Sequence, residues 1–198
     1  TSDKPQLIVQ KLTSNAQFVL LYHLQKKMLN GLTTQQVAEK LNQNYRTISR
    51  AVICLKELKL IDLVGGKEKQ IYFTARGKEL WQKAQQFFQT PVVKTLFTDE
   101  ILNCTKSNIN AFAHYTMLND EEKQHYAIDK LEFRNLKAET NKYAGTNEIE
   151  IWRYDPNILS ENGFIDKLSL YLLLKDADNE RIEIELETLI NQMQWLEE

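Results

Sequence analysis

The stretch 33–52, TTQQVAEKLNQNYRTISRAV, constrains the fold of this chain more than any other. Val37, Ala38 and Leu41 keep helical spacing, and Ile48, Val52 and Leu55 repeat it at i, i+4 and i+7. The two patterns meet at Asn42-Gln43-Asn44. Asparagine tolerates a left-handed backbone, so Asn42 can turn the chain where glycine often does. The spacing predicts a short helix over 33–41, capped by Thr33, and a longer one from about Tyr45 to Leu58.

The flanking sequence supplies the neighbours of this pair. SNAQFVLLYHLQKKM, 14–28, reads as a helix capped by Ser14 or Asn15, with Phe18, Leu21, Tyr22 and Met28 near one face. Asn30-Gly31 stops it. LIDLVGGKEKQIYFT, 60–74, reads as two strands, 60–64 and 70–73, around a hairpin tip at 65–69. Lys67 and Lys69 are expected in solvent there. A further helix, 78–88, carries Leu80, Trp81, Ala84 and Phe88. Thr90-Pro91 is the expected boundary, because proline disfavours helix at the residue before it.

Charge divides the chain at the same place. Residues 1–90 hold 14 Lys and Arg against 6 Asp and Glu, a net of +8. Residues 91–198 hold 11 against 21, a net of −10. The overall charge of −2 hides this split, which suggests a polyanion-binding module joined to a different one. The expectation is an α+β protein with domains at 1–90 and 91–198.

The second half is less regular. A helix is expected over 99–118, strands at QHYAID, 124–129, and EIEIWRY, 148–154, and helices at 166–174 and 179–195. In EIEIWRY, Glu148, Glu150 and Arg153 stand as the polar positions. Most of the aromatic residues in this half, from Phe112 to Trp195, are expected in the core.

Little in the chain points to catalysis. His23, His114 and His125 are too dispersed for a metal site, and no Cys-x-x-Cys or glycine-rich phosphate loop occurs. His23 is expected to be packed or at the surface, and His114 to be a buried polar residue or to line a pocket. The acidic residues of 176–187 are expected on a solvated helix face and its cap. No enzyme activity, cofactor or metal is expected. Cys54 and Cys104 are expected as buried free thiols in a reducing compartment. With 42% hydrophobic residues, no apolar run near ~18 residues and no basic, apolar leader in TSDKPQLIVQ, a cytoplasmic protein is expected.

The polar face of 44–58 suits a DNA groove. If Ile48, Val52 and Leu55 face inward, Arg46 and Arg50 face outward, with Asn44, Tyr45, Thr47 and Ser49 around the leading end. Arginine suits guanine edges or phosphate, asparagine adenine, threonine and serine either, and tyrosine stacking or a phosphate. Thr33 and Thr34 sit where helix N–H groups can meet a phosphate. Lys67 and Lys69 are expected at the minor groove or backbone, and Lys56 at the backbone.

Helix, helix, turn, helix, two-stranded hairpin and helix, carried by LTTQQVAEKLNQNYRTISRAVICLKELKLI and FTARG, resemble the winged helix-turn-helix of MarR-like bacterial transcription regulators over residues 12–88. Asn42 stands for a usual turn glycine, and Lys59 for a frequent glycine before the wing. The resemblance implies a DNA-binding regulator, a repressor, working as a homodimer on double-stranded DNA. SNINAFAHYTMLNDEEKQHYAIDK and IDKLSLYLLLKD resemble elements of the C-terminal part of abortive-infection (type IV) antitoxins, which also begin with a winged helix. That likeness implies an antitoxin or protein-interaction module with a toxin partner as the alternative.

Overall fold

The structure, a computed structural model, describes residues 10–196. The protein is mixed α+β, and its chain divides into two compact units. One comprises residues 1–89 with 196–198, the other 90–195.

The first unit opens with α1, Ser14–Gln25, capped by Thr13 Oγ1, which accepts the Ala16 N–H. The cap is thus one residue before the expected pair, and the helix ends at Gln25, short of Met28. Eight of its twelve residues are buried, so α1 is packed on most of its circumference. α2, Thr34–Lys40, starts at a complete capping box: Gln36 N–H donates to Thr33 Oγ1, and Gln36 Oε1 accepts the Thr33 N–H. α3, Tyr45–Glu57, is capped by Asn44 Oδ1, which takes the Arg46 N–H at 2.8 Å. Ile48, Ala51, Val52 and Leu55 form its buried stripe.

Both α2 and α3 end in Schellman motifs. After α2, Asn42 N–H donates to Glu39 O and Gln43 N–H to Ala38 O, with Asn42 at φ 50°. After α3, Lys59 N–H donates to Lys56 O and Leu60 N–H to Leu55 O, with Lys59 at φ 60°. Leu55 and Leu60 are fully buried, the apolar contact that goes with this motif.

β1, Ile61–Val64, and β2, Gln70–Phe73, pair antiparallel with Ile61 opposite Phe73 and Val64 opposite Gln70. The turn needs Gly65: at φ 121° a side chain there would bring a Cβ to 2.8 Å from Glu68 O. The outer edge of β2 is covered by 31–33, through Gly31 N–H to Ile71 O and Ile71 N–H to Leu32 O, both 2.8 Å. His23 locks the same corner. It is 3% exposed, its Nδ1 accepts the Leu29 N–H at 2.9 Å, and its ring stacks on Phe73 at 3.8 Å. Burial pushes its pKa down to about 4.

α4, Gly77–Ala84, buries Leu80, Trp81 and Ala84 and runs into a 3₁₀ turn, Gln85–Phe87, where one continuous helix was expected. The two ends of the unit are then tied together. Leu12 N–H donates to Phe87 O, Gln89 Nε2 to Leu12 O, and Gln17 and Gln89 exchange two bonds of 2.8 and 2.9 Å.

The second unit is built on a four-stranded sheet of order β3-β6-β5-β4: β3 Val92–Thr98, β4 Thr105–Lys106, β5 His125–Asp129, β6 Asn147–Trp152. β5 and β6 are parallel; the other neighbours are antiparallel. Around it lie α5 Asn108–Tyr115, α6 Lys130–Asn135, α7 Pro156–Leu159, α8 Lys167–Leu174 and α9 Glu180–Gln192. Leu96, Tyr126, Ile128, Ile149 and Ile151 form one core, against Leu102, Cys104, Phe133 and Leu136.

Several expectations fail in this unit. No helix covers 99–118: Asp99 is occupied by Thr146, whose N–H and hydroxyl both donate to it at 2.8 Å, and 105–106 pair as β4. Only 108–115 are helical. β3, α6 and α7 were not anticipated. Glu150 is not a solvent-facing polar position; it is 3% exposed and accepts from Ser107 Oγ, Trp152 Nε1 and Asn108 Nδ2. Desolvation raises its pKa, which these bonds only partly offset. Tyr143 is exposed, and His114 is exposed and stacked on Phe164 at 4.0 Å, so neither is a core residue. Cys54 and Cys104 are free and half-buried, not buried; burial, and then Glu132, pushes the Cys104 thiol up to about 11.

Candidate nucleic-acid interface

The buried stripe of α3 fixes where its other residues stand. At about 100° per residue, Tyr45, Ser49 and Ile53 fall to one side of Ile48, and Arg46 and Arg50 about 160° away. Burial agrees: Ile48 is fully buried, while Tyr45, Arg46 and Arg50 are exposed. The side of Tyr45 and Ser49 faces a cleft of about 570 Å³ between α2, α3 and the β1–β2 hairpin. Thr33, Thr34, Tyr45, Ser49, Lys67 and Lys69 line it. The sequence-based candidates from three separate elements therefore converge there.

The other candidates stand outside this cleft. Arg46, Arg50 and Lys56 are exposed on α3, and Thr47 is half-buried on its opposite flank. Asn44 spends its side-chain oxygen on the α3 cap and keeps its amide N–H groups for another partner. Thr33 likewise spends its oxygen on the α2 cap and pairs across to Gln70 of the hairpin. This pairing, with the 31–33 strand segment, is what sets the hairpin beside α2. Neither arginine makes an ion pair among the described residues, so both guanidinium groups are open to a ligand.

The cleft also holds residues that periodicity did not single out. Ile53, 53% exposed, and Leu63 give it an apolar wall, and Gln35, Gln36, Glu39 and Glu68 complete the rim. Ile53 was detectable, since an isoleucine well off the inner stripe of α3 faces outward. The two glutamates temper the positive charge of Lys67 and Lys69, leaving Arg46 and Arg50 on the adjacent face as the strongest cationic feature of α3.

No catalytic or metal constellation competes with this surface. Among the described residues no group of His, Cys, Asp and Glu is arranged to hold a metal ion, and no helix is long and apolar enough to cross a membrane. Comparison with known proteins returned no matching family model, no matching curated protein and no matching solved structure.

Proposed function

We propose that the protein is a sequence-specific DNA-binding transcriptional regulator, a cytoplasmic repressor. In this reading residues 1–90 are a winged helix-turn-helix. α2 supports, α3 enters the major groove, and the hairpin tip at 65–69 is the wing on the backbone. The supporting observation is the pairing of two exposed, unpaired arginines, Arg46 and Arg50, with a cleft that gathers Tyr45, Ser49, Thr34, Lys67 and Lys69. Arginine forks match guanine edges and phosphates, and hydroxyls on a helix flank reach base edges or backbone. Two copies on a pseudo-palindrome would set their α3 helices one helical turn apart.

A mobility shift with duplex from upstream of its own gene tests this, run between 50 and 200 mM salt. Binding should weaken steeply with salt, and Arg46→Ala with Arg50→Ala should abolish it while circular dichroism stays unchanged. Absent or salt-independent binding of wild type to any duplex sinks the reading.

The acidic balance of 91–198 favours a second role for that half, docking a protein partner rather than DNA. An antitoxin acting this way would keep its partner activity in the double arginine variant.

A further inference from the structure

Two helices of the first unit end on a residue in the left-handed region, and the two residues differ in kind. Asn42, φ 50°, is a type that enters this region readily. Lys59, φ 60°, is not. It holds the position where glycine relieves the backbone entirely, and both hydrogen bonds of the motif would form as well with glycine. Something other than the turn therefore accounts for the lysine.

Its surroundings suggest what. The Lys59 side chain is exposed. Its carbonyl accepts the Thr74 hydroxyl at 3.0 Å, and the Lys83 ammonium donates to that same hydroxyl at 2.7 Å. Lys56, also exposed, stands one turn back on α3. Three lysines thus collect at the base of the hairpin, and none of them makes an ion pair among the described residues. A cation at a helix C-terminus complements the helix dipole, but Lys56 already occupies the last turn of α3.

We infer that Lys59 is a DNA phosphate contact, extending the interface from α3 to the base of the hairpin at the cost of backbone strain. The inference rests on the DNA-binding reading above. It makes the lysine a residue that works against the fold and for the ligand. Phosphate contacts carry no sequence information, so its contribution is the same on specific and unrelated duplexes.

The test is a set of three substitutions in the full chain, read by melting temperature and by DNA affinity over a salt series. Lys59→Gly removes charge and strain, Lys59→Gln removes charge alone, and Lys59→Arg keeps both. Lys59→Gly should melt no lower than wild type, yet bind specific and unrelated duplexes roughly eight-fold more weakly at 0.1 M salt, with a salt slope smaller by about one. Lys59→Gln should weaken binding equally, and Lys59→Arg should bind like wild type. The inference is overturned if Lys59→Gly binds with unchanged affinity and slope. It is also overturned if Lys59→Gln loses stability but keeps affinity, the dipole outcome, or if only Lys59→Gly weakens binding, a backbone effect. Wild type and the Arg46→Ala, Arg50→Ala variant run alongside. If wild type binds no duplex, the DNA reading itself falls and takes this inference with it. If wild type binds and the arginine variant does not, failure at Lys59 is specific to Lys59.

Discussion

Lowering the pH should loosen the first unit through a single side chain, His23. The ring must be neutral in the folded protein, because Nδ1 accepts the Leu29 N–H and the ring lies buried against Phe73. Burial lowers its pKa from 6.5 to about 4. The unfolded chain takes up a proton near 6.5, and the folded chain resists it until near 4. The stability tied to the neutral ring is therefore intact above pH 6.5, falls as pH drops through the window from 6.5 to 4, and is constant below it. A shift of this size corresponds to a loss of about 2 kcal/mol at pH 5, approaching about 3 kcal/mol below pH 4. Urea unfolding at pH 7.5 and 5 should show wild type losing about 2 kcal/mol more than His23→Phe, which has nothing to protonate. Proton NMR of the imidazoles should place the His23 midpoint about two units below an ordinary histidine. A midpoint near 6.5, or equal pH sensitivity in wild type and variant, would refute the reasoning. Since Phe73 belongs to β2, the hairpin should be the first element to lose amide protection on acidification.

Two other perturbations follow from the hydrogen bonds described. Thr33→Ala removes one half of the α2 capping box and should cost about 1 kcal/mol by urea unfolding, with the β2 edge at Gln70 exchanging its amides faster. Glu150 is held protonated by burial, so its contribution is complete at low pH and lost as pH rises above the ordinary carboxyl range. Glu150→Gln keeps the shape without the charge, and its stability should stay level from pH 5 to 8 where wild type declines.

The two halves differed in how much their residues disclosed in advance. In the first, each element is announced locally: Thr33 and Asn44 cap, Asn42 turns, Ile48, Val52 and Leu55 repeat at helical spacing, and Gly65 opens the hairpin. The bonds that build this half mostly join residues close in sequence. In the second, β3 pairs with β6 some fifty residues later, and β5 lies parallel to β6. Nothing in VVKTLFT alone says that it needs that partner, and nothing in EIEIWRY says that one glutamate will be sealed under Ser107 and Trp152. The candidate site divides in the same way. Residue type and periodicity located Arg46, Arg50, Tyr45 and Ser49 on their helix faces. The meeting of Thr34 with Lys67 and Lys69 depends on the 31–33 segment pairing with β2, a tertiary event. The strain at Lys59 appears only as a dihedral angle.

The clasp between Gln17 and Gln89 has a consequence of its own. It joins the start of α1 to the residue that follows the last turn, so the chain enters and leaves the first unit at one point. A unit closed in this way is a cassette. It can be spliced into a host protein's surface loop, or separated from 90 onward, without prying its ends apart. Such a part is easily recombined with new C-terminal partners during descent, each new partner giving the same groove-reading surface a different signal to obey.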